Sequence, residues 1–404
     1  MTLPSGKHGD GMGRPEQMYN VDGILKNELG KLKEDINGET LRRYYLQRVA
    51  EGVSPLRQYK CINTLRFISK TLGKKFEDAT KDDIIELIAK LEQRPVSAWT
   101  KHDYRVILKK FYQWAHGYER GTYPEHVRWI RSGNHIQNNL KKSDMLTVDE
   151  IKKIIEAAKT LRDKAFILVL AESGRRIGEI LTLRIGDVDF DSMGARLHVD
   201  GKMGKDYARI MSSAPILATW FDMHPRRNDP SAPVWVTGER SGTKQLGYAS
   251  AREMFKDCVK RAGLKKRVWF YLLRHTRGTQ AATKLNAQQL CALMGWKQGS
   301  DMPSVYVHLS GEDIDEAQAI LNGTKSRRED ESKLQPLACD RCGFTNSAVS
   351  KFCNKCGLCL DLKIAVEEDQ KKEKIENLLY DIIQDDKKLE KLRSFLSETY
   401  RRKA

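Results

Sequence analysis

The chain has 404 residues, 40% of them hydrophobic, and its 71 lysines and arginines outnumber 54 aspartates and glutamates, for a formal net charge of +17 and a pI near 9.4. That length suits two or three folded domains rather than one. No apolar run nears the ~18 residues that span a bilayer and no signal-peptide core opens the chain, which sets aside integral-membrane and secreted classes and implies a cytoplasmic protein. The excess charge is +7 over residues 1–140, +8 over 141–325 and +2 over 326–404. Lysines and arginines gain affinity for nucleic acid by releasing its condensed counterions, so this balance suits a polyanionic partner; simple solubility is the equal alternative, and motifs must decide between them.

Residues 1–21, with SGKHGDGMGRPEQ, are Gly-rich and polar and are expected to be disordered. Residues 22–120 carry apolar positions at helical spacing, among them Leu41, Tyr44 and Tyr45, then Ile62, Leu65, Phe67 and Ile68. Thr80 and Asp83 form a Thr-x-x-Asp start for a helix through IIELIAKL. Ser97 or Thr100 caps the next, which carries Tyr104, Ile107, Leu108, Phe111 and Trp114. Short helices of this kind make an all-α domain. Lys101, Arg105, Lys109 and Lys110 follow one another along the last helix, a face that suits phosphate contacts if the rest of the chain handles DNA and a solvated face otherwise.

Residues 121–144 mix Gly, Pro, Asn and Ser with charges and read as a linker. A second domain is expected over 145–322, opening on the capping box Thr147 to Glu150 and the helix IKKIIEAA. Its helices surround a short β section at 188–213, where VDF and RLHV flank the turn SMGA and GKMGKD leads into ARIMSS. Asp187, Asp189 and Asp191 have the spacing of a calcium loop, but His198 stands where its bidentate glutamate is required, which excludes that site. A polar linker, 323–336, precedes CDRCGFTNSAVSKFCNKCG. There Cys339, Cys342, Cys353 and Cys356 supply four thiolates at zinc-ribbon spacing over 337–360. Four protein ligands leave no open position, so this zinc is expected to be structural; Cys359 is a spare thiol, and Cys61, Cys258 and Cys291 are core thiols. Residues 361–404 read as a charged helical tail with an apolar stripe at Ile375, Leu378, Leu379, Ile382 and Ile383; ribbon and helix together offer a surface for DNA or a protein partner, and their near-neutral charge favours the protein. The fold class expected is mainly α with a small β-hairpin sheet.

Three further stretches carry the chemistry. In ESGRRIGEILTLR, Arg176 follows a Gly-containing turn and opens a helix, where its planar fork suits a phosphate; a salt bridge to Glu179 is the alternative. YLLRHTRGT brings Arg274, His275 and Arg277 within four residues, and LMGWKQGSDMPSVYVHLSG places Pro303 to open the helix of Tyr306. In this order the motifs resemble those of the tyrosine recombinases, or phage-type integrases. That family shows a helix-opening Thr-Gly-Leu-Arg-x-x-Glu-Leu, a hairpin lysine, a His-x-x-Arg helix, a Gly-His or Gly-Trp, and a tyrosine nucleophile. The resemblance covers residues 22 to about 322. Arg175 departs from it, standing where the family usually has an apolar residue, and Tyr271 stands where it has His or Lys. The step from Trp296 to Tyr306 is one residue longer than the commonest spacing and is similar to that of archaeal integrases.

The resemblance implies a helical core-binding (SAM-like) domain followed by an α+β catalytic domain, the two closing as a clamp on duplex DNA. Arg176 and Arg274 would hold the scissile phosphate, with Glu179 orienting Arg176. Lys202, or its neighbour Lys205, would protonate the leaving 5'-oxygen. Trp296 would donate to a nonbridging oxygen, Tyr271 would offer its hydroxyl, His275 would support the site, and Tyr306 would attack to form a 3'-phosphotyrosyl link. Neither ATP nor a catalytic cofactor enters this scheme. Lys101, Arg105, Lys109 and Arg277 are the expected DNA contacts. The implied activity is site-specific recombination, the integration or excision of a mobile or viral element with resolution of chromosome dimers as a variant, by a homo-tetramer on double-stranded DNA at the host nucleoid. A type IB topoisomerase is the rival enzyme. A regulator that binds DNA without cleaving it is the rival of another class, favoured by Tyr271 and disfavoured by the retention of Tyr306, Arg176 and Arg274.

Overall fold

Helices dominate the computed structural model, which describes residues 21–132, 141–201, 204–237, 244–308, 318, 322, 335–360, 362–384 and 390. The N-terminal part is built from α1 (Val21–Gly30), α2 (Gly38–Ala50), α3 (Pro55–Leu72), α4 (Lys81–Gln93), α5 (Ala98–Ala115) and the short α6 (Glu125–Arg128). Pro55 opens α3 where its missing N–H costs nothing. The capping box of Thr80 and Asp83 opens α4, and Ser97 rather than Thr100 caps α5 by accepting the Thr100 N–H. Leu41, Ile62, Leu65, Ile68, Leu108 and Phe111 form the centre of the core. Val127 and Ile130 are buried in it too, so residues 121–130, read from sequence as linker, fold onto this first unit.

That return of the chain corrects one expected DNA contact. Lys109 is buried, its Nζ donating to the Ile130 carbonyl at 2.9 Å and lying 4.1 Å from the Tyr123 ring centroid, and burial presses its pKa down. Its ammonium fastens α6 to α5 and does not face solvent. Lys101 donates to the Glu92 carbonyl and Arg105 pairs with the Glu92 carboxylate at 3.3 Å, so both tie α5 to the end of α4.

The second part comprises α7 (Val148–Glu156), α8 (Leu161–Ser173), α9 (Ile177–Leu181), β1 (Val188–Asp191), β2 (Gly194–Gly201), β3 (Gly204–Ile210), α10 (Ala214–Asp222), α11 (Tyr248–Arg261), α12 (Phe270–Ala282), α13 (Ala287–Met294) and α14 (Met302–His308). Residues 165–171 of α8 are all buried, as befits a helix that is apolar all round and sits at the centre of its domain. The strands form an antiparallel sheet in the order β1-β2-β3, with Val188 opposite Leu197, Val199 opposite Asp206 and Gly201 opposite Gly204. Two carboxylates of the excluded calcium loop have partners: Asp189 meets His198 and Asp191 meets Arg209, each at 2.7 Å. Glu172 at the end of α8 accepts the N–H groups of Met211, Ser212 and Ser213 at 2.8, 2.9 and 2.7 Å, which fixes the chain where β3 passes into α10.

Beyond α14, β4 (Leu337–Ala338) pairs antiparallel with β5 (Thr345–Asn346), and α15 (Leu362–Ile383) follows. The β4–β5 module rests on α10: Asn354 donates to Thr219 Oγ1 at 3.3 Å, and Val349 packs against the main core. One of its faces is therefore covered by its own chain. Ile375, Leu378, Leu379 and Ile383 of α15 are exposed. Lys202 and the Gly-rich opening residues 1–20 lie outside the described residues. Among the described residues no helix is long and apolar enough to cross a membrane.

Candidate active site

Four chain segments meet around Tyr306. The turn from α8 to α9 brings Arg176, α12 brings Tyr271, Arg274 and His275, the end of α13 brings Gly295 and Trp296, and α14 carries Tyr306 itself. Tyr306 is completely buried. Its ring stacks on Trp296 with centroids 5.2 Å apart and its hydroxyl lies 2.9 Å from His275 Nδ1. Gly278 of α12 makes this possible, because a Cβ there would fall 2.7 Å from Tyr306 Cε1. A single missing methyl group lets the tyrosine ring lie flat on the helix.

Arg274 is 2% exposed and donates from Nη1 to the Gly174 carbonyl at 2.8 Å and from Nη2 to the Met294 carbonyl at 2.9 Å. Among the described residues no carboxylate lies within salt-bridge distance of it. Arg176 is about a third exposed; its Nη1 meets Glu179 Oε1 at 2.8 Å, and Glu179 Oε2 accepts the backbone N–H of Arg176 at 3.1 Å. Two arginines and one carboxylate thus leave one positive charge over. Burial, and then the charge of Arg176, press the pKa of Arg274 down, as expected of a cation that lacks a counterion.

Burial, and then the Arg274 cation, lower His275 to about 4. Burial, helped by Tyr271, raises Tyr306 to about 12, against the opposing pull of Arg274 and Arg176. At neutral pH the imidazole is therefore uncharged and the phenol protonated, so the Tyr306 hydroxyl donates and Nδ1 accepts. Tyr271 is exposed at the helix surface and sets its ring edge-on to His275 at 4.6 Å. Trp296 is 8% exposed, and among the described residues its indole N–H has no hydrogen-bond partner.

The structure thus brings together Tyr306, Arg176, Glu179, Arg274, His275, Trp296 and Tyr271. Of the expected DNA contacts, Arg277 on α12 is half-buried, with its Cγ 2.9 Å from where a Gly174 Cβ would stand. Burial presses its pKa down. Sequence reasoning passed over Gly278 and Glu172; a glycine inside a strongly helical stretch was the available signal for the first.

The four cysteines form a second centre. Their Sγ atoms all lie within 4.8 Å of one another, with Cys339 to Cys356 at 3.5 Å and Cys342 to Cys353 at 3.6 Å. A tetrahedral zinc with bonds of ~2.3 Å sets its sulfurs roughly 3.8 Å apart, so the residues present fit that ion. Each Cys-x2-Cys turn closes the same way, by Gly343 N–H onto the Cys339 carbonyl and Gly357 N–H onto the Cys353 carbonyl.

Residues 144–312 match the model of the Phage integrase family. This part of the chain is a phage integrase domain. Among curated relatives, the tyrosine recombinase XerA of Pyrococcus horikoshii is 28% identical over 251 residues, spanning 61% of this chain and 81% of that protein. Transposase A of transposon Tn554 from Staphylococcus aureus is 26% identical over 220 residues, 51% of this chain and 58% of that protein. Among solved structures, a lambda integrase dimer bound to a COC' core site aligns with a TM-score of 0.54 at 19% identity, covering 74% of this chain and 80% of that one. XerH bound to a palindromic difH substrate in a post-cleavage complex aligns at 0.52 and 16%, covering 80% of this chain and all of that one. At these identities the structural likeness is one of fold. Every residue gathered around Tyr306 lies inside the phage integrase domain, whereas the four cysteines lie outside it.

Proposed function

We propose that the protein is a site-specific DNA recombinase that cuts and rejoins DNA through a 3'-phosphotyrosyl intermediate, serving the integration or excision of a mobile or viral element. The observation that carries this reading is the unbalanced charge beside Tyr306: Arg274, buried with only neutral carbonyls for partners, next to Arg176. After Glu179 is counted, the site holds one excess positive charge, which matches the single charge of a phosphodiester.

In the proposed reaction Arg176 and Arg274 grip the nonbridging oxygens and Trp296 adds its free indole N–H. Tyr306 Oη attacks phosphorus, its proton passing to His275 Nδ1 as the P–O bond forms. The bond to the 5'-oxygen breaks, and Lys202, or Lys205, supplies the proton that makes it a hydroxyl. The pentavalent transition state carries more negative charge than the diester, and the fixed arginines stabilise that increase. Rejoining reverses these steps with a new 5'-hydroxyl, so the phosphodiester bond energy is kept and no nucleotide is consumed. Tyr271, exposed beside His275, is a poor proton shuttle at neutral pH because an ordinary phenol titrates near ~10, and it is assigned a hydroxyl contact to the phosphate at the rim that meets DNA.

The four-cysteine centre is assigned one structural zinc, outside the chemistry. Double-stranded DNA with specific sites is the partner, and assembly on DNA as a tetramer in the cytoplasm, at the nucleoid, is part of the reading. XerA and the Tn554 transposase support recombination over simple relaxation of DNA. The test is to trap SDS-resistant adducts on fragmented genomic DNA of the source, wild type against Tyr306→Phe, and to sequence the trapped ends. Adducts at a few discrete sites, absent from the variant, are expected; scattered adducts would indicate a topoisomerase, and DNA binding with no adduct would indicate a regulator.

A further inference from the structure

Consecutive arginines, Arg175 and Arg176, leave the α8–α9 turn in different directions. Arg176 turns toward the phosphate site, while Arg175 is buried, with 2% of its side chain exposed. Its guanidinium bridges elements far apart in the chain. Nη1 donates to Asp206 Oδ2 at 2.7 Å, and Nη2 donates to the Tyr207 carbonyl at 2.6 Å and to the Ala292 carbonyl at 3.3 Å. Asp206 and Tyr207 belong to β3, Ala292 to α13. The slot that admits the guanidinium is made by Gly295, whose Cβ, if present, would stand 2.0 Å from Nη1. Gly295 also has φ of +63°, and its carbonyl lies 3.5 Å from Arg176 Nη1. The glycine before Trp296 is thus pressed by Arg175 on one side and approached by Arg176 on the other.

Stability alone gives no reason for this arrangement. Asp206 keeps 45% of its side chain exposed, so the pair itself contributes little, whereas taking the Arg175 cation out of water costs free energy that an apolar residue there would not. An apolar side chain cannot, however, hold β3 at a set distance from α13. The planar fork of arginine, with donors at fixed angles, can. What it holds is the β2–β3 hairpin, whose paired strands reach Gly201 and Gly204 and whose sequence carries Lys202 and Lys205.

We propose that Arg175 is a positioning residue: with Asp206 it fixes the β2–β3 hairpin against the Gly295–Trp296 turn, so that the hairpin's lysine reaches the leaving oxygen of the phosphate held by Arg176 and Arg274. This rests on the reading of that lysine as the general acid. It predicts a defect confined to protonation of the leaving group, which a purely structural role would not give.

The experiment is single-turnover cleavage by the full-length protein of a duplex carrying the site recovered from wild-type adducts. The duplex has either the natural 5'-oxygen or a 5'-bridging sulfur at the cut. A thiolate leaves without help from an acid. Arg175→Leu and Asp206→Asn are expected to cleave the oxygen substrate about tenfold or more slowly than wild type, the lower end of what a lost general acid costs, and the sulfur substrate at nearly the wild-type rate. Arg175→Lys, which keeps one donor for Asp206, should fall between. Asp206→Asn alters a partly exposed partner and serves if Arg175→Leu fails to fold. Lys202→Ala and Lys205→Ala are run beside them. If a lysine variant is rescued by sulfur and both Arg175→Leu and Asp206→Asn are not, Arg175 is structural and the proposal is overturned. If neither lysine variant is rescued, the hairpin is not the source of the acid, and the proposal falls with that reading.

Discussion

Acid should loosen the domain through His275 in particular. Its pKa is about 4 in the folded chain, against the ordinary 6.5, because it is buried and lies beside the Arg274 cation. Between those two values the unfolded chain binds a proton that the folded chain refuses. Stability from this group is therefore fully present above pH 6.5 and declines as the pH falls toward 4. Between pH 7 and 4.5 the loss amounts to about 2 kcal/mol. Other groups titrate over the same range, so the perturbation that isolates this one is His275→Asn, which places an acceptor near Nδ1 and cannot be protonated. Urea unfolding of both proteins across this range gives a difference in free energy to which the remaining groups contribute equally. That difference should move by about 2 kcal/mol in favour of the variant as pH falls. Parallel curves would mean that His275 titrates alike in both states, and the assignment of the Tyr306 hydroxyl as donor to a neutral imidazole would be wrong.

Gly278→Ala puts a methyl group against the Tyr306 ring, and overpacking of this kind costs roughly 1–3 kcal/mol. Because a displacement of the nucleophile weakens attack more than it weakens binding, adduct formation should fall by about a hundredfold with DNA affinity retained in a filter-binding assay. Lys109→Met should leave the salt dependence of DNA binding unchanged, whereas removal of a true phosphate contact lowers that slope by about 1; it should lower thermal stability, since the Ile130 carbonyl loses its donor. Native mass spectrometry should find one zinc per chain, lost in Cys353→Ser. Hydrogen exchange in that variant should rise over residues 337–360 while α8 stays protected, and an unchanged ribbon would remove the zinc assignment.

The residues around Tyr306 were legible because the recombinase chemistry demands particular side chains in a particular order, and Arg176, Arg274 and Tyr306 each stood in such a motif. The basic face of α5 was not. Helical spacing marks which residues share a face but does not say that the chain returns at residues 123–130 to cover it, and so Lys109 read as solvent-facing. The cysteine spacing marked the four thiols that cluster in the β4–β5 module, yet the seat of that module on α10 depends on Thr219 and Val349, which carry no local signal. Arg175 was visible only as a departure from pattern. Its meaning lies in Asp206, 31 residues on, and Ala292, 117 residues on.

In the reaction proposed for Tyr306, the same geometry keeps the phenol idle without DNA. At a pKa of about 12, Tyr306 is ionised in roughly one molecule in 10⁵ at pH 7, and His275, near 4, is too weak a base to take its proton. The cause of that weakness, after burial, is the Arg274 cation. In the proposed reaction a phosphate bound between Arg176 and Arg274 offsets this second cause and raises the basicity of His275, while burial, the larger cause, stays in place. The negative charge that would hinder free ionisation of the tyrosine also strengthens its base, and the proton is best moved in step with attack on phosphorus. In that reaction, occupancy by phosphate favours the transfer of the tyrosine proton through the charge it sets against Arg274.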